Sequence, residues 1–201
     1  GPLFLDKFKQ LVEAMRRDFG APDLPFYYVQ IGRFTTPGDS TWWNAVQQDQ
    51  LTAESQIPHS GMAPSVDLEL DDAIHIGTQS LKVLGRRLAS MAARDLYQAA
   101  DVANGPRPAS IKRVNTPFGP QIHVTFEGVN GGLTAPGRVS GFSISAPDGS
   151  PLTAVYDQTV SDEDPNTIVL WCGEVPSGAQ LWYGRGFDPY CNVVDKAGMA
   201  V

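Results

Sequence analysis

Two residues suit proton transfer by type and spacing: Asp72 and His75, within Asp67-Leu68-Glu69-Leu70-Asp71-Asp72-Ala73-Ile74-His75. An aspartate three residues ahead of a histidine, in a loop leading into a helix, turns both side chains toward one point. The carboxylate then accepts the Nδ1 proton and fixes the imidazole tautomer. That leaves Nε2 to take a proton from a hydroxyl nucleophile and return it to a leaving group. The carboxylate also stabilises the imidazolium that forms. Such a pair is two thirds of a hydrolase triad. On pattern alone a solvated turn is the ordinary account of Asp-x-x-His, and its place between a strand end and a helix favours the chemical reading.

The missing third is a nucleophile. Ser40, in Gly38-Asp39-Ser40, stands in a Pro-containing loop, whereas a nucleophile elbow directly follows a core strand; the sequence reads better as a polar turn with Ser40 or Thr41 as N-cap of the next helix. Ser80 reads as a helix-terminus residue. Gly128-Val129-Asn130-Gly131 has the look of an oxyanion-hole Gly-x-Asn, but it follows a strand-like run and reads as a turn. His59, beside Pro58, is expected in a loop, and His123 is expected to point outward from a strand. Trp42, Trp43, Trp171 and Trp182 suit sugar stacking, although core packing is the commoner use of such residues. No Glu/Asp pair stands out by spacing as a glycosidase pair.

The elements that must position Asp72 and His75 follow from periodicity. Leu5, Phe8, Leu11, Val12, Met15 and Phe19 mark a helix with one buried face, stopped by Gly20. Phe26 to Gly32 is an almost continuously apolar strand, of the kind covered on both faces in a parallel sheet. A helix carrying Trp42, Trp43, Val46 and Leu51 follows, and Gly61 to Val66 reads as a short strand delivering the Asp67 to Asp72 stretch. In open α/β sheets, sites collect beyond the carboxyl ends of strands, where this loop falls. The helix Gln79 to Tyr97 is expected to bury Leu81, Leu84, Leu88, Met91 and Leu96, to leave Arg86, Arg87 and Arg94 in solvent, and to need Gly85 for a close contact with the sheet.

After Ala100 the composition changes. Asn104-Gly105-Pro106-Arg107-Pro108 reads as a linker, and short strand-like runs follow: 110–114, 121–129, 139–146, 152–160, 167–172 and 179–184. Turn signals at Pro147-Asp148-Gly149, Asp162 to Pro165 and Val175 to Gly178 reverse the chain, as in a small antiparallel β-sandwich. The first hundred residues present helices to cover a parallel sheet but only two candidate strands, too few to bury them. Either other protein completes that sheet or the strand count is short.

With 201 residues, 42% hydrophobic and 18% charged, the chain has room for one large or two small cores. A net charge of −7 with scattered Lys and Arg argues against a nucleic-acid partner. No apolar run approaches the roughly 20 residues that span a bilayer, and no signal-peptide pattern opens the chain. Gly1-Pro2 reads as a protease-tag scar or a cut end. A signal could have been removed, and the compartment is left unknown with a secreted or periplasmic one favoured. Cys172 and Cys191 are the only cysteines; a cysteine metal site is excluded, and both a disulfide and two buried thiols stay open.

Several segments together resemble the sialate O-acetylesterase-like carbohydrate esterases of the SGNH hydrolase superfamily. They are Phe8 to Phe19 before Pro22-Asp23-Leu24-Pro25-Phe26, the strand Tyr28 to Ile31, the Trp43 to Gln50 helix, Asp72-Ala73-Ile74-His75, and Leu84-Gly85-Arg86-Arg87-Leu88-Ala89. Leu181-Trp182-Tyr183-Gly184 and Pro189 to Asp195 are similar to that family's C-terminal β-domain. The resemblance implies a carbohydrate O-acetylesterase with His75 as general base and Asp72, rather than Asp71, as its orienting partner. It implies no metal or other cofactor, an acetylated sugar as substrate, and a serine in a Gly-Gln-Ser-Asn-like motif that this sequence lacks. Residues 1–103 would be the C-terminal half of a three-layer α/β/α SGNH-type catalytic domain and 104–201 an antiparallel β-sandwich. A second polypeptide, or a missing N-terminal segment, would carry the serine. Gln47 and Gln48 depart from the family, whose members often carry Arg-Glu there. Two alternatives remain: a non-catalytic carbohydrate-binding module, and a self-contained hydrolase using Ser40.

Overall fold

The computed structural model describes residues 2–100 and 102–201, so Gly1, and with it part of the Gly1-Pro2 reading, lies outside the described residues. The chain divides into two compact units. The first runs to Ala99 and includes Gly186–Asp188; the second comprises Ala100–Arg185 and Pro189–Val201. Both helices and several sheets are present, a mixed α/β fold. No described helix is long and apolar enough to cross a membrane.

The first unit holds, in order, α1 (Pro2–Asp18), β1 (Phe26–Val29), α2 (Thr41–Gln56), β2 (Ser60–Ala63) and α3 (Thr78–Tyr97). β1 and β2 pair in parallel, Phe26 opposite Ser60 and Val29 opposite Ala63. They have no further strand neighbour among the described residues. A core of Val12, Tyr28, Ala53, Ile57 and Met62 joins α1, α2 and the strand pair, with Phe8 edge-on to Tyr28 at 4.8 Å.

The bonds Phe26 N–H to His59 O and Gln30 N–H to Ala63 O turn the even-numbered residues of β1 toward β2 and leave Val29 and Ile31 facing outward. There α2 supplies a side chain where a strand would lie: Gln50 Nε2 donates to Val29 O at 3.2 Å, and its Oε1 accepts the Ile31 N–H at 2.9 Å. On the outer edge of β2, Glu54 Oε1 accepts the Met62 N–H at 2.8 Å. Unpaired edge groups invite other chains, and these contacts satisfy part of each row. Gln47, one of the two family departures, donates to the carbonyls of Ile31 and Gly32. Gln48 is exposed.

α3 corrects the sequence reading in three places. Its buried residues are Ser80, Leu84, Arg87 and Met91, while Leu81 and Leu96 are exposed. Arg87, expected in solvent, is 2% exposed and makes a bidentate pair with Asp67, Nη1 to Oδ1 at 2.7 Å and Nη2 to Oδ2 at 2.6 Å, with Nη1 also donating to Pro64 O. Gly85 is exposed and a Cβ there would meet nothing within 4 Å, so it makes no close contact with the strands. The close approach is on β2 instead, where a Cβ on Gly61 would lie 2.5 Å from Met91 Cε.

The second unit contains β3 (Arg107–Thr116), β4 (Gly119–Glu127), β5 (Leu133–Thr134), β6 (Phe142–Ser145), β7 (Pro151–Leu152), β8 (Val155–Val160), β9 (Thr167–Cys172), β10 (Gln180–Tyr183) and β11 (Val194–Asp195). An antiparallel sheet runs in the order β3-β4-β9-β8, with smaller sheets β10-β6-β7 and β11-β5. Alternate residues of β4 and β9, among them Ile122, Val124, Phe126, Ile168, Leu170 and Cys172, meet Phe142, Ile144, Leu133 and Val193 in one core. The expected linker is in part strand, since β3 begins at Arg107, and Pro106 is fully buried. The run 152–160 is broken into β7 and β8, and the two-residue strands β5 and β11 carry no sequence signal. Cys172 and Cys191 are both buried and are not joined in a disulfide, so of the two options left open above the buried thiols hold.

The Arg87 and Asp67 charges are both withdrawn from water, so removing one strands the other. Arg87→Ala is expected to lower the stability of the first unit by about 3–5 kcal/mol, read as a fall in the urea midpoint. A joint Arg87→Met and Asp67→Leu change is expected to cost less.

Candidate active site

The loop after β2 is built from its own backbone. Leu70 and Ile76 form an antiparallel bridge, Asp71 N–H donates to His75 O at 3.0 Å, and Gly77 N–H donates to Glu69 O at 2.8 Å. Residues 71–75 are thus a closed loop standing immediately before α3. The Thr35 N–H donates to Ala73 O at 2.7 Å, holding the loop from the other side, and Arg33 Nη2 donates to Leu68 O at 3.0 Å.

The two neighbouring aspartates do different work. Asp71 Oδ2 accepts both the backbone N–H and the hydroxyl of Thr78, each at 2.9 Å, so it caps the start of α3, where orphan N–H groups favour an anion. Gly77 makes room for it, because a Cβ there would lie 2.9 Å from Asp71 Oδ1. Asp72 turns back on its own loop. Its Oδ1 accepts the N–H groups of Ile74 at 2.9 Å and His75 at 2.8 Å, and its Oδ2 meets His75 Nδ1 at 2.7 Å. One carboxylate therefore holds both the backbone and the ring of the histidine.

The Ile74 and His75 backbone N–H groups, joined by the imidazole, hold the Asp72 carboxyl down to about 2. An ionised carboxylate only accepts, so Nδ1 carries the proton in this contact and the neutral ring presents the lone pair of Nε2. The His75 side chain is 78% exposed, and Nε2 has no hydrogen-bond partner among the described residues. The arrangement is an oriented imidazole base open to whatever approaches from solvent.

The other candidates sit elsewhere in their networks. Ser40 Oγ is engaged with Asn44 Oδ1 at 3.1 Å at the start of α2. Ser40 is the N-cap residue without a side-chain cap bond; the carboxylate of Asp39 instead accepts the Thr41 N–H. Ser80 is buried in α3. His59 lies in a turn at φ 53° beside Asp23, and His123 on β4 bonds to Gln121 Oε1. Asn130 is a turn residue whose amide and backbone nitrogens both reach Asp195 Oδ2. Trp43 is buried with Nε1 donating to Gly32 O, while Trp42 is 57% exposed. Sequence reasoning passed over Arg33, whose Nη1 pairs with Asp188 at 3.0 Å. A lone arginine just after a strand gives no signal of a partner so distant in sequence. Among the described residues no group of three or more His, Cys, Asp or Glu could hold a metal ion.

In open α/β sheets sites collect in loops beyond the carboxyl ends of the strands, and the Asp72–His75 pair stands in such a loop after β2. Residues 2–94 match the family of carbohydrate esterases described as sialic acid-specific acetylesterase, so the resemblance drawn from the residues is shown for that stretch. A crystal structure of a carbohydrate acetylesterase from Xanthomonas citri is similar to the whole chain, with a TM-score of 0.77 and 21% identity. The match covers 98% of this chain and 44% of that one, so the chain spans less than half the length of the protein it resembles. At that identity the likeness is one of fold. No curated protein matches the chain.

Asp72 bonds its partners as an anion, so those bonds are intact above the ordinary carboxylate value and weaken only as pH falls toward about 2. The Asp72 carboxyl ¹³C resonance is therefore expected to make its own titration step well below pH values of about 4. A step centred on that ordinary value would show that the carboxylate is not held.

Proposed function

We propose that this chain supplies the general base of a carbohydrate O-acetylesterase, the serine nucleophile lying on another polypeptide or on a segment outside this sequence. The observation that carries the reading is the 2.7 Å contact between Asp72 Oδ2 and His75 Nδ1 with Nε2 left open. The family match over residues 2–94 and the shared fold with a carbohydrate acetylesterase support the substrate class. In this reading the first unit is the C-terminal half of a three-layer SGNH-type domain, and the second unit is a β-sandwich. Two strands facing three helices, with Leu81, Leu96 and Trp42 left in solvent, are what half of such a layer would present.

The chemistry follows from the ring's orientation. His75 Nε2 takes the serine proton as the oxygen attacks the acetyl carbonyl, and the Asp72 carboxylate stabilises the imidazolium. The same proton passes to the departing sugar oxygen, leaving an acetyl-serine. Water attacks that ester with His75 again as base, releasing acetate. The donors for the tetrahedral oxyanion would come from outside this chain.

Labelling the active preparation with a fluorophosphonate is expected to mark a serine outside these 201 residues, found by intact-mass and peptide analysis. In that preparation, His75→Ala and Asp72→Asn are expected to slow acetate release from an O-acetylated sugar by about 10³–10⁴-fold. A label on Ser40, with hydrolysis by this chain free of any second polypeptide, would sink the proposal and restore the self-contained reading.

A further inference from the structure

The second unit holds a cavity that nothing in the esterase reading uses. It is an open cleft of about 600 Å³ at one end of β3, β4 and β9, beside the loop after Cys172. That volume is in the range of pockets that take small molecules.

Its lining follows from the strand register. Residues directly opposite one another in an antiparallel pair share a face. Ile111 stands opposite Val124, Arg113 opposite Ile122, and Asn115 opposite Pro120. Val124 and Ile122 belong to the core, so Arg113 and Asn115 stand on the core-side face of the sheet, where β3 is exposed, Ile111 included. Ile122 and Cys172 form an apolar floor, and the side chains of Arg113, Asn115 and Glu174 bring polar groups to the walls. Burial pushes the Cys172 thiol up, partly offset by the nearby Arg113 guanidinium, so the floor is an uncharged thiol.

The guanidinium is held by the protein. Arg113 Nη1 donates to Val175 O at 3.1 Å and Nη2 to Pro176 O at 3.4 Å, which fixes it against the loop that carries Glu174. Gln121, opposite Val114, turns its side chain to the other face of the sheet, where its Oε1 accepts from His123 Nε2. The walls thus offer one cation, one anion and one amide side chain, with formal charges that cancel, over an apolar base.

We propose that this cavity binds a neutral, hydroxyl-rich sugar, with Arg113, Asn115 and Glu174 as its polar contacts. A pyranose has the matching character: hydroxyls around its rim that both donate and accept, and C–H faces that pack on apolar surface. A carboxylate accepts from a vicinal diol while a guanidinium donates to one, so each wall finds a partner without introducing net charge. The ordinary alternative is that an inward-pointing arginine on an edge strand serves only to discourage strand pairing. The inference is independent of the esterase reading, because it concerns the second unit and requires no serine.

The test is a titration of the ¹⁵N-labelled chain with cellobiose, maltose, galactose and xylose, and with glucuronate as the anionic comparison. Saturable amide shifts are expected at residues 113–122 and 171–176 with at least one neutral sugar, at a Kd of about 1 mM or tighter. Arg113→Ala and Glu174→Gln are each expected to weaken that binding about tenfold, and His75→Ala to leave it unchanged. Glu174→Gln changes only a loop side chain, so it stays informative if the arginine variant folds poorly. The proposal fails if no neutral sugar gives a saturable shift, if the shifts survive both variants, or if glucuronate binds best. It also fails if Arg113→Ala produces self-association in sedimentation while sugar shifts are unaltered.

Discussion

The ion pair between Arg87 and Asp67 governs the geometry of the first unit. It joins the exit of β2 to the middle of α3, with both charges inside and a third bond to Pro64 O. A buried pair of this kind is a poor source of net stability, because desolvation offsets most of the attraction. Its value is positional: a guanidinium fork accepts a carboxylate in one plane, so the chain leaves β2 in one direction and the start of α3 lies at a set distance from it. The closed loop at 71–75 spans that distance.

Within the loop, two carboxylates in succession divide the labour. Asp71 is committed to the α3 terminus through Thr78, and Asp72 to the histidine. The division depends on direction alone, since the chemistry of the two side chains is the same. Gly77 secures it by leaving room at Asp71 Oδ1. Asp72 then meets three donors from its own loop, so the bonds that orient the imidazole are all local, while Thr35 braces the loop through Ala73 O.

The strand pair shows a similar economy. The outer edge of β1 is met by the amide of Gln50, which imitates the donor and acceptor of a neighbouring strand, and Glu54 meets the outer edge of β2. Side chains from α2 therefore cover backbone groups that would otherwise be left bare. The second unit manages its own polar burial comparably. Asp195, 1% exposed, accepts the N–H groups of Asn130, Ala197 and Met199 and the Asn130 amide.

The helices α1, α2 and α3, the strands β1, β2 and most strands of the second unit were legible in the sequence, because periodicity is a local property. So was the Asp72–His75 contact, since three residues of loop suffice to make it. What escaped was set by partners far along the chain. Arg87 shares a helical face with Leu84 and Met91, so spacing placed it inside, yet its charge argued for solvent until Asp67, 20 residues earlier, was seen to meet it. Leu81 and Leu96 look like core residues by type and are exposed because the two-stranded sheet does not reach them. The strands β5 and β11, two residues each, arise from pairing with one another across a long stretch of chain, and Val194 bridges Ala200 as well. Side-chain chemistry over short spans was thus written in the sequence, and burial, which depends on what the rest of the chain brings near, was decided by the tertiary structure.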